Sequence, residues 1–147
     1  MYQHILIPTD GSELAERAVT YGLSLAKFLR AGVTVIIVED RHGAWLWALA
    51  DHGAGEAFTT FTEQIKEYAA SVLDRVANAA KQAGVPCDTI QVQDVQPYEG
   101  IIATVTARGC DLIVMASHGC SGLSAVVLGS VTNKVLTYTK VPVVVIQ

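Results

Sequence analysis

The sequence predicts an α/β fold: one doubly wound domain over residues 1–147, with a five-stranded parallel sheet and helices on both faces. Three observations lead there. Short apolar runs alternate with helical patterns along the chain. Most of those runs are apolar throughout, as strands covered on both faces are. Polar and small residues gather just after two of them, TDGS at 9–12 and SHG at 117–119, and open α/β sheets bind ligands beyond the carboxyl ends of their strands.

The elements follow in order. Residues 5–8 (ILIP) form a first strand, closed by Thr9-Asp10-Gly11-Ser12. A helix is expected over 13–29, with Leu14, Ala18, Tyr21, Leu25 and Phe28 at helical spacing. Glu13 and Glu16 in its first turn, and Lys27 and Arg30 near its end, suit the macrodipole, and Gly32 is expected to end it. Residues 33–38 (VTVIIV) form the second strand. Irregular residues 41–56 follow, with both tryptophans in AWLWALA at 44–50. This run is expected first as a short helix packed on the next one, and otherwise as a lid or a partner surface. A long helix over 58–83 carries the stripe Phe58, Phe61, Ile65, Tyr68, Val72, Val76, Ala79 and Ala83, and Gly84 and Pro86 stop it. Residues 89–95 alternate through Ile90 and Val92, the pattern of a half-buried strand near an edge. A helix over 98–108 ending at Gly109, a strand over 112–116, a helix over 131–138 and a strand over 141–146 complete the chain.

Composition narrows the function. The chain is 51% hydrophobic and 16% charged, with a net charge of −4 and no basic run, which argues against nucleic acid and acidic membranes as partners. No apolar stretch reaches the ~18 residues of a membrane span, and the first residues lack the basic start and apolar core of a secretion signal. Three widely spaced cysteines (Cys87, Cys110 and Cys120) fit neither a disulfide framework nor a CxxC metal site. A reducing compartment, the cytoplasm, is the expectation.

The richest stretch is 111–130, DLIVMASHGCSGLSAVVLGS. An apolar strand breaks into Ala116-Ser117-His118-Gly119, and Gly129-Ser130 then opens the last helix. Small residues and a helix N-terminus let backbone N–H groups approach a phosphate. The crevice is placed between this strand end and Thr9-Asp10-Gly11-Ser12.

Three segments carry a family resemblance: ILIPTDGSELAERAV, VTVIIVED and VMASHGCSGLSAVVLGSVTNKVLTYTKVPVVVI. Over essentially its whole length the chain resembles the universal stress proteins, whose fold is adenine nucleotide α-hydrolase-like. The nucleotide-binding branch of that family carries Gly, two residues, Gly, nine residues, then Gly-Ser/Thr. Here Gly119, Gly129 and Ser130 match, and Ala116 stands at the first glycine position. At the end of an extended strand a methyl group brings no backbone strain, so binding is expected to be weakened or selective rather than abolished. The resemblance implies that Pro8, Thr9 and Asp10 line the adenine and ribose end, that Val38 packs on the adenine, that Met115 and Ala116 belong to the nucleotide site, and that Ser117 and His118 lie under the phosphates. Ser130, Val131 and Thr132 would supply N–H groups and hydroxyls. It implies ATP, or AMP or ADP in its place, together with Mg2+, and a homodimer paired through Val143, Val144, Val145 and Ile146. No ligand for a metal is expected from the protein itself.

Plainer roles stand beside these. Asp10 has capping-box spacing to Glu13, Ser130 suits an N-cap, and Val38 suits the core. His118 has no carboxylate close in sequence and is expected as a turn residue bonded to backbone, so no general base is identified and at most weak ATP hydrolysis follows. His42 and His52, beside Asp40 and Asp51, lack a metal-ligand spacing. No GxxxxGK[ST] loop is present, and Gly119-x-x-Gly122 is not a dinucleotide fingerprint. Cys120 has no basic neighbour to make it a thiolate. Three function classes remain: a nucleotide-binding stress sensor or regulator, a family member working through protein contacts without nucleotide, and an enzyme of phosphate chemistry using His118 and Asp10.

Overall fold

A computed structural model describes residues 1–39, 56–93, 95–119 and 127–147. In chain order the elements are β1 (His4–Pro8), α1 (Glu13–Leu29), β2 (Gly32–Glu39), α2 (Glu56–Ala83), β3 (Cys87–Gln93), α3 (Pro97–Arg108), β4 (Leu112–Ala116), α4 (Ser130–Tyr138) and β5 (Val143–Ile146). The strands form one sheet in the order β3-β2-β1-β4-β5, and every pairing is parallel. The winding reverses between β1 and β4, the two strands whose ends carry the polar residues singled out in the sequence.

The pleat sends successive side chains to opposite faces, and each face has its own core. Ile5, Ile7, Val33, Val35 and Ile37 pack under α1 and α2 with Val19, Leu23, Val72, Leu73 and Val76. Leu6, Ile36, Ile113 and Met115 pack on the other face with Ile101 and Val105 of α3 and Val135 of α4. Gly22 sets how closely α1 approaches the sheet: a Cβ there would run into Cδ1 of Ile7 and lie 3.6 Å from Cβ of Val114.

The helix faces differ from the sequence expectation. α1 buries Ala15, Ala18, Val19, Gly22, Leu23 and Ala26, while Tyr21 and Phe28 point to solvent. Small side chains win the buried face because they let the helix sit close to the strands. In α2, Val72 and Val76 are buried as expected, but Ala69, Leu73 and Ala80 complete the face, and Ala79 and Tyr68 are exposed. α1 ends at Arg30, held at φ 58° with its N–H donating to the carbonyls of Ala26 and Lys27; Gly32 instead opens β2. β3 begins and ends two residues earlier than expected, and β5 begins at Val143 rather than 141 because Pro142 has no N–H to donate. Gly84 and Gly109 do end their helices, with φ of 73° and 63°. Expectations for Trp45, Trp47, His42, His52 and Cys120 lie outside the described residues.

Candidate functional site

A cleft of about 180 Å³ opens at the carboxyl end of the sheet, where the winding reverses. Its lining includes Pro8, Thr9, Asp10, Val38, Met115, Ala116, Gly119, Val131 and Thr132. Residues more than 100 positions apart in sequence thus meet around one space. Ala15, Ile36, Pro97 and Ile101 also line it, and sequence reasoning did not assign them to the site. Ile36 had a signal, since it faces the same side of β2 as Val38. Pro97 and Ile101 had none, because only the packing of α3 brings them to the cleft.

One wall is the turn after β1. Thr9 is buried, and its N–H continues the sheet ladder to the carbonyl of Ile36 at 2.9 Å. Its hydroxyl accepts from the N–H of Gly11 at 3.2 Å. Asp10 Oδ1 accepts from the N–H of Ser12 at 2.9 Å. Asp10 is therefore not the helix cap. Ser12 caps α1, its Oγ accepting from the N–H of Ala15 at 3.3 Å. The turn needs Gly11 at φ 78°, and a side chain there would collide with the Tyr68 hydroxyl. That hydroxyl donates to the Asp10 carbonyl at 3.3 Å.

The opposite wall is the end of β4 and the start of α4. Thr132 is buried, and its Oγ1 donates to the Ala116 carbonyl at 2.9 Å. The N–H of Ser117 donates to Ile146 at 2.8 Å, and the Ser117 carbonyl accepts from the N–H of Gly129 at 2.7 Å. Gly129 is the N-cap residue of α4, with extended backbone, so Ser130 is the first helical residue and not the cap. A Cβ on Gly129 would sit 3.1 Å from the His118 Cα and 3.2 Å from the Ser117 carbonyl oxygen. Ser117, His118, Gly129 and Ser130 thus form the turn behind the lining. His118 Nδ1 bonds the Ser117 hydroxyl at 3.1 Å, a side-chain partner where a backbone one was expected.

Two features bear on a phosphate-bearing ligand. The N-cap of α4, Gly129, has no side chain with which to cap it and no acidic residue occupies the first turn, whereas α1 has both a serine cap and Glu13 and Glu16. Gly119 faces Asp10 so closely that a Cβ on it would meet Oδ2. The missing side chain keeps open the space between the two walls. The Ala116 methyl group packs with Ala15 and Ala18 of α1, and with Leu14 and Ile146. Asp10 is the only charged residue among the described lining. No group of three or more His, Cys, Asp or Glu among the described residues is arranged to hold a metal.

Comparison with known proteins agrees with this architecture. Universal stress protein MJ0531 of Methanocaldococcus jannaschii is 31% identical over 147 residues, covering 100% of this chain and 83% of its own. MJ0577 of the same organism is 29% identical over 157 residues. Its solved structure superposes with a TM-score of 0.83 at 28% identity, over 99% of this chain and 96% of that one. The fold is shared as well by an Archaeoglobus fulgidus universal stress protein solved in complex with dAMP, at a TM-score of 0.67 and 16% identity, over 99% of this chain and 98% of that one. The model of the universal stress protein family matches residues 1–147, and the chain belongs to that family.

Proposed function

We propose that this chain, a single domain over residues 1–147, binds an adenine nucleotide in the cleft between β1 and β4. ATP carried with Mg2+ is the preferred ligand, with AMP or ADP as the alternatives. The observation that carries the proposal is the meeting of Pro8, Thr9, Asp10, Val38, Met115, Gly119, Val131 and Thr132 around one cleft with an apolar floor and a helix start whose N-cap is a glycine. Pro8, Val38 and Met115 offer flat apolar contact for the base. The first N–H groups of α4 offer donors to phosphate oxygens.

Mg2+ is expected to arrive on the phosphates, with no metal ligand from the protein. Ala116 supports selective rather than lost binding: it lines the cleft, and it packs there with Ala15 and Ala18. The dAMP complex of the Archaeoglobus relative, which shares this fold, makes an adenine ligand reasonable here. The chain then acts in the cytoplasm as a homodimeric stress-response sensor or regulator, two copies pairing through the free edge of β5.

Amide chemical shifts followed during titration with Mg-ATP test the ligand and its place together. The proposal expects saturable shifts confined to 8–12, Val38, 115–119 and 129–132. Shifts elsewhere, or none, would move the function to protein contacts without nucleotide.

A further inference from the structure

The packing of α3 points to a residue that sets the width of the base end of the cleft. Gly100 is buried in the first turns of α3, between Pro97 and Ile101, which both line the cleft. A Cβ on Gly100 would lie 3.0 Å from Cγ2 and 3.5 Å from Cγ1 of Val38, and 3.3 Å from Cγ2 of Val95. The contacts with Cγ2 of Val38 and of Val95 are tighter than side chains ordinarily adopt, so a neighbour must give by a few tenths of an ångström, while the 3.5 Å contact is an ordinary one. Val38 itself lines the cleft and packs on the core between the sheet, α3 and α4. Val38 therefore touches both the Gly100 position and the cleft.

We infer that Gly100 is a positioning residue that fixes base selectivity through Val38. Without a side chain at 100, α3 packs directly on Val38, so that Pro97, Ile101 and Val38 line the slot together. Adding one methyl group makes its neighbours give by a few tenths of an ångström: Val38 shifts toward the slot, or α3 shifts outward and carries Pro97 and Ile101 with it. Either way the flat space for a two-ring base changes, while the phosphate end, built by Gly119, Gly129 and Thr132, is untouched.

A helical glycine otherwise costs stability relative to alanine. Helix propensity alone therefore favours alanine at this position, and close packing supplies a reason for glycine to stand there.

This inference rests on the nucleotide reading of the cleft, and the experiment separates the two. Mg-ATP and Mg-CTP, which share a triphosphate and differ only in the base, are titrated into the wild-type chain, Gly100→Ala, Val38→Ala and the double variant. The expected result for Gly100→Ala is a loss of ATP affinity of about tenfold, the scale of one surplus methyl group in a packed site, with a smaller loss for CTP. Val38→Ala returns the missing space, so the double variant is expected to recover ATP affinity to within about threefold of wild type. It also keeps the test alive if Gly100→Ala alone folds poorly. Thermal midpoints measured alongside show whether binding and stability move separately, as they must if 100 acts on the slot. ATP affinity unchanged in Gly100→Ala, equal losses for ATP and CTP, or no recovery in the double variant would overturn the inference. No binding of either nucleotide by the wild-type chain would instead overturn the nucleotide reading, and this inference with it.

Discussion

Thr132→Val offers the sharpest test of how the two halves of the cleft are joined. Thr132 is 2% exposed, and its hydroxyl donates to the Ala116 carbonyl at 2.9 Å, tying the start of α4 to the end of β4. Valine keeps the shape and removes the hydroxyl. A neutral hydrogen bond contributes about 1 kcal/mol net, and a buried group left without its partner costs about 1–3 kcal/mol. The expected loss is therefore about 1–2 kcal/mol, since the carbonyl sits near an open cleft that water can enter. For a chain of this length that lowers Tm by about 3–6 °C. Thr132→Ser is the control: it keeps the hydroxyl and gives up a buried methyl group, about 1 kcal/mol. Urea unfolding supplies the stabilities and Mg-ATP titration the affinities. The account expects valine to weaken binding several-fold while serine leaves it near wild type. Equal nucleotide affinity in the valine variant and the wild type, with equal stability, would refute the claim that this bond holds the α4 start in place.

Other substitutions probe separate parts. Gly22→Val should cost about 2–3 kcal/mol in urea unfolding, because the added carbons meet Ile7 in a packed core; an unchanged midpoint would show that α1 can lift away without penalty. The carbonyls of Pro142 and Ile146 face β4, so the period of two turns the backbone groups of Val143 and Val145 toward the free edge. Light scattering should accordingly find a dimer at micromolar concentration and a monomer for Val145→Pro, and a wild-type monomer would contradict the paired edge. Burial, reinforced by Asp88, pushes the Cys87 thiol up to about 11, and burial, reinforced by Asp111 against Arg108, does the same for Cys110. The unfolded chain sheds these protons near the ordinary value of 9.0 and the folded chain holds them, so stability should fall as pH rises from 9.0 toward about 11. Cys110→Ala should flatten that fall, and parallel pH profiles for variant and wild type would count against it.

The order of strands and helices, the parallel sheet and the place of the cleft were all legible in the sequence. Apolar runs mark buried strands, and Gly84 and Gly109 mark left-handed helix ends, although Arg30 and not Gly32 takes that place after α1. Helix faces were less legible. Tyr21 and Phe28 look like core residues at helical spacing, yet the contact with the sheet belongs to alanines and Gly22, whose value lies in what they leave out. Caps misled for a related reason. Asp10, Ser12 and Ser130 can each cap a helix, and only the backbone path decides that Ser12 does so, while Asp10 closes its own turn onto Ser12. At the cleft, residues at strand ends could be found because strand ends converge by topology. Pro97, Gly100 and Ile101 enter through the packing of α3, which no local pattern records.

The central claim is that the cleft between β1 and β4 cradles phosphate despite Ala116. Calorimetric titration of Mg-ATP into the wild-type chain and Gly129→Val tests it most directly. A side chain at 129 must displace the backbone of Ser117 and His118, so the turn behind the cleft cannot form as it stands. The account predicts saturable heat for the wild-type chain and none for a folded Gly129→Val. A folded, ligand-free wild-type chain that gives no heat, or a valine variant that binds as tightly as wild type, would contradict it.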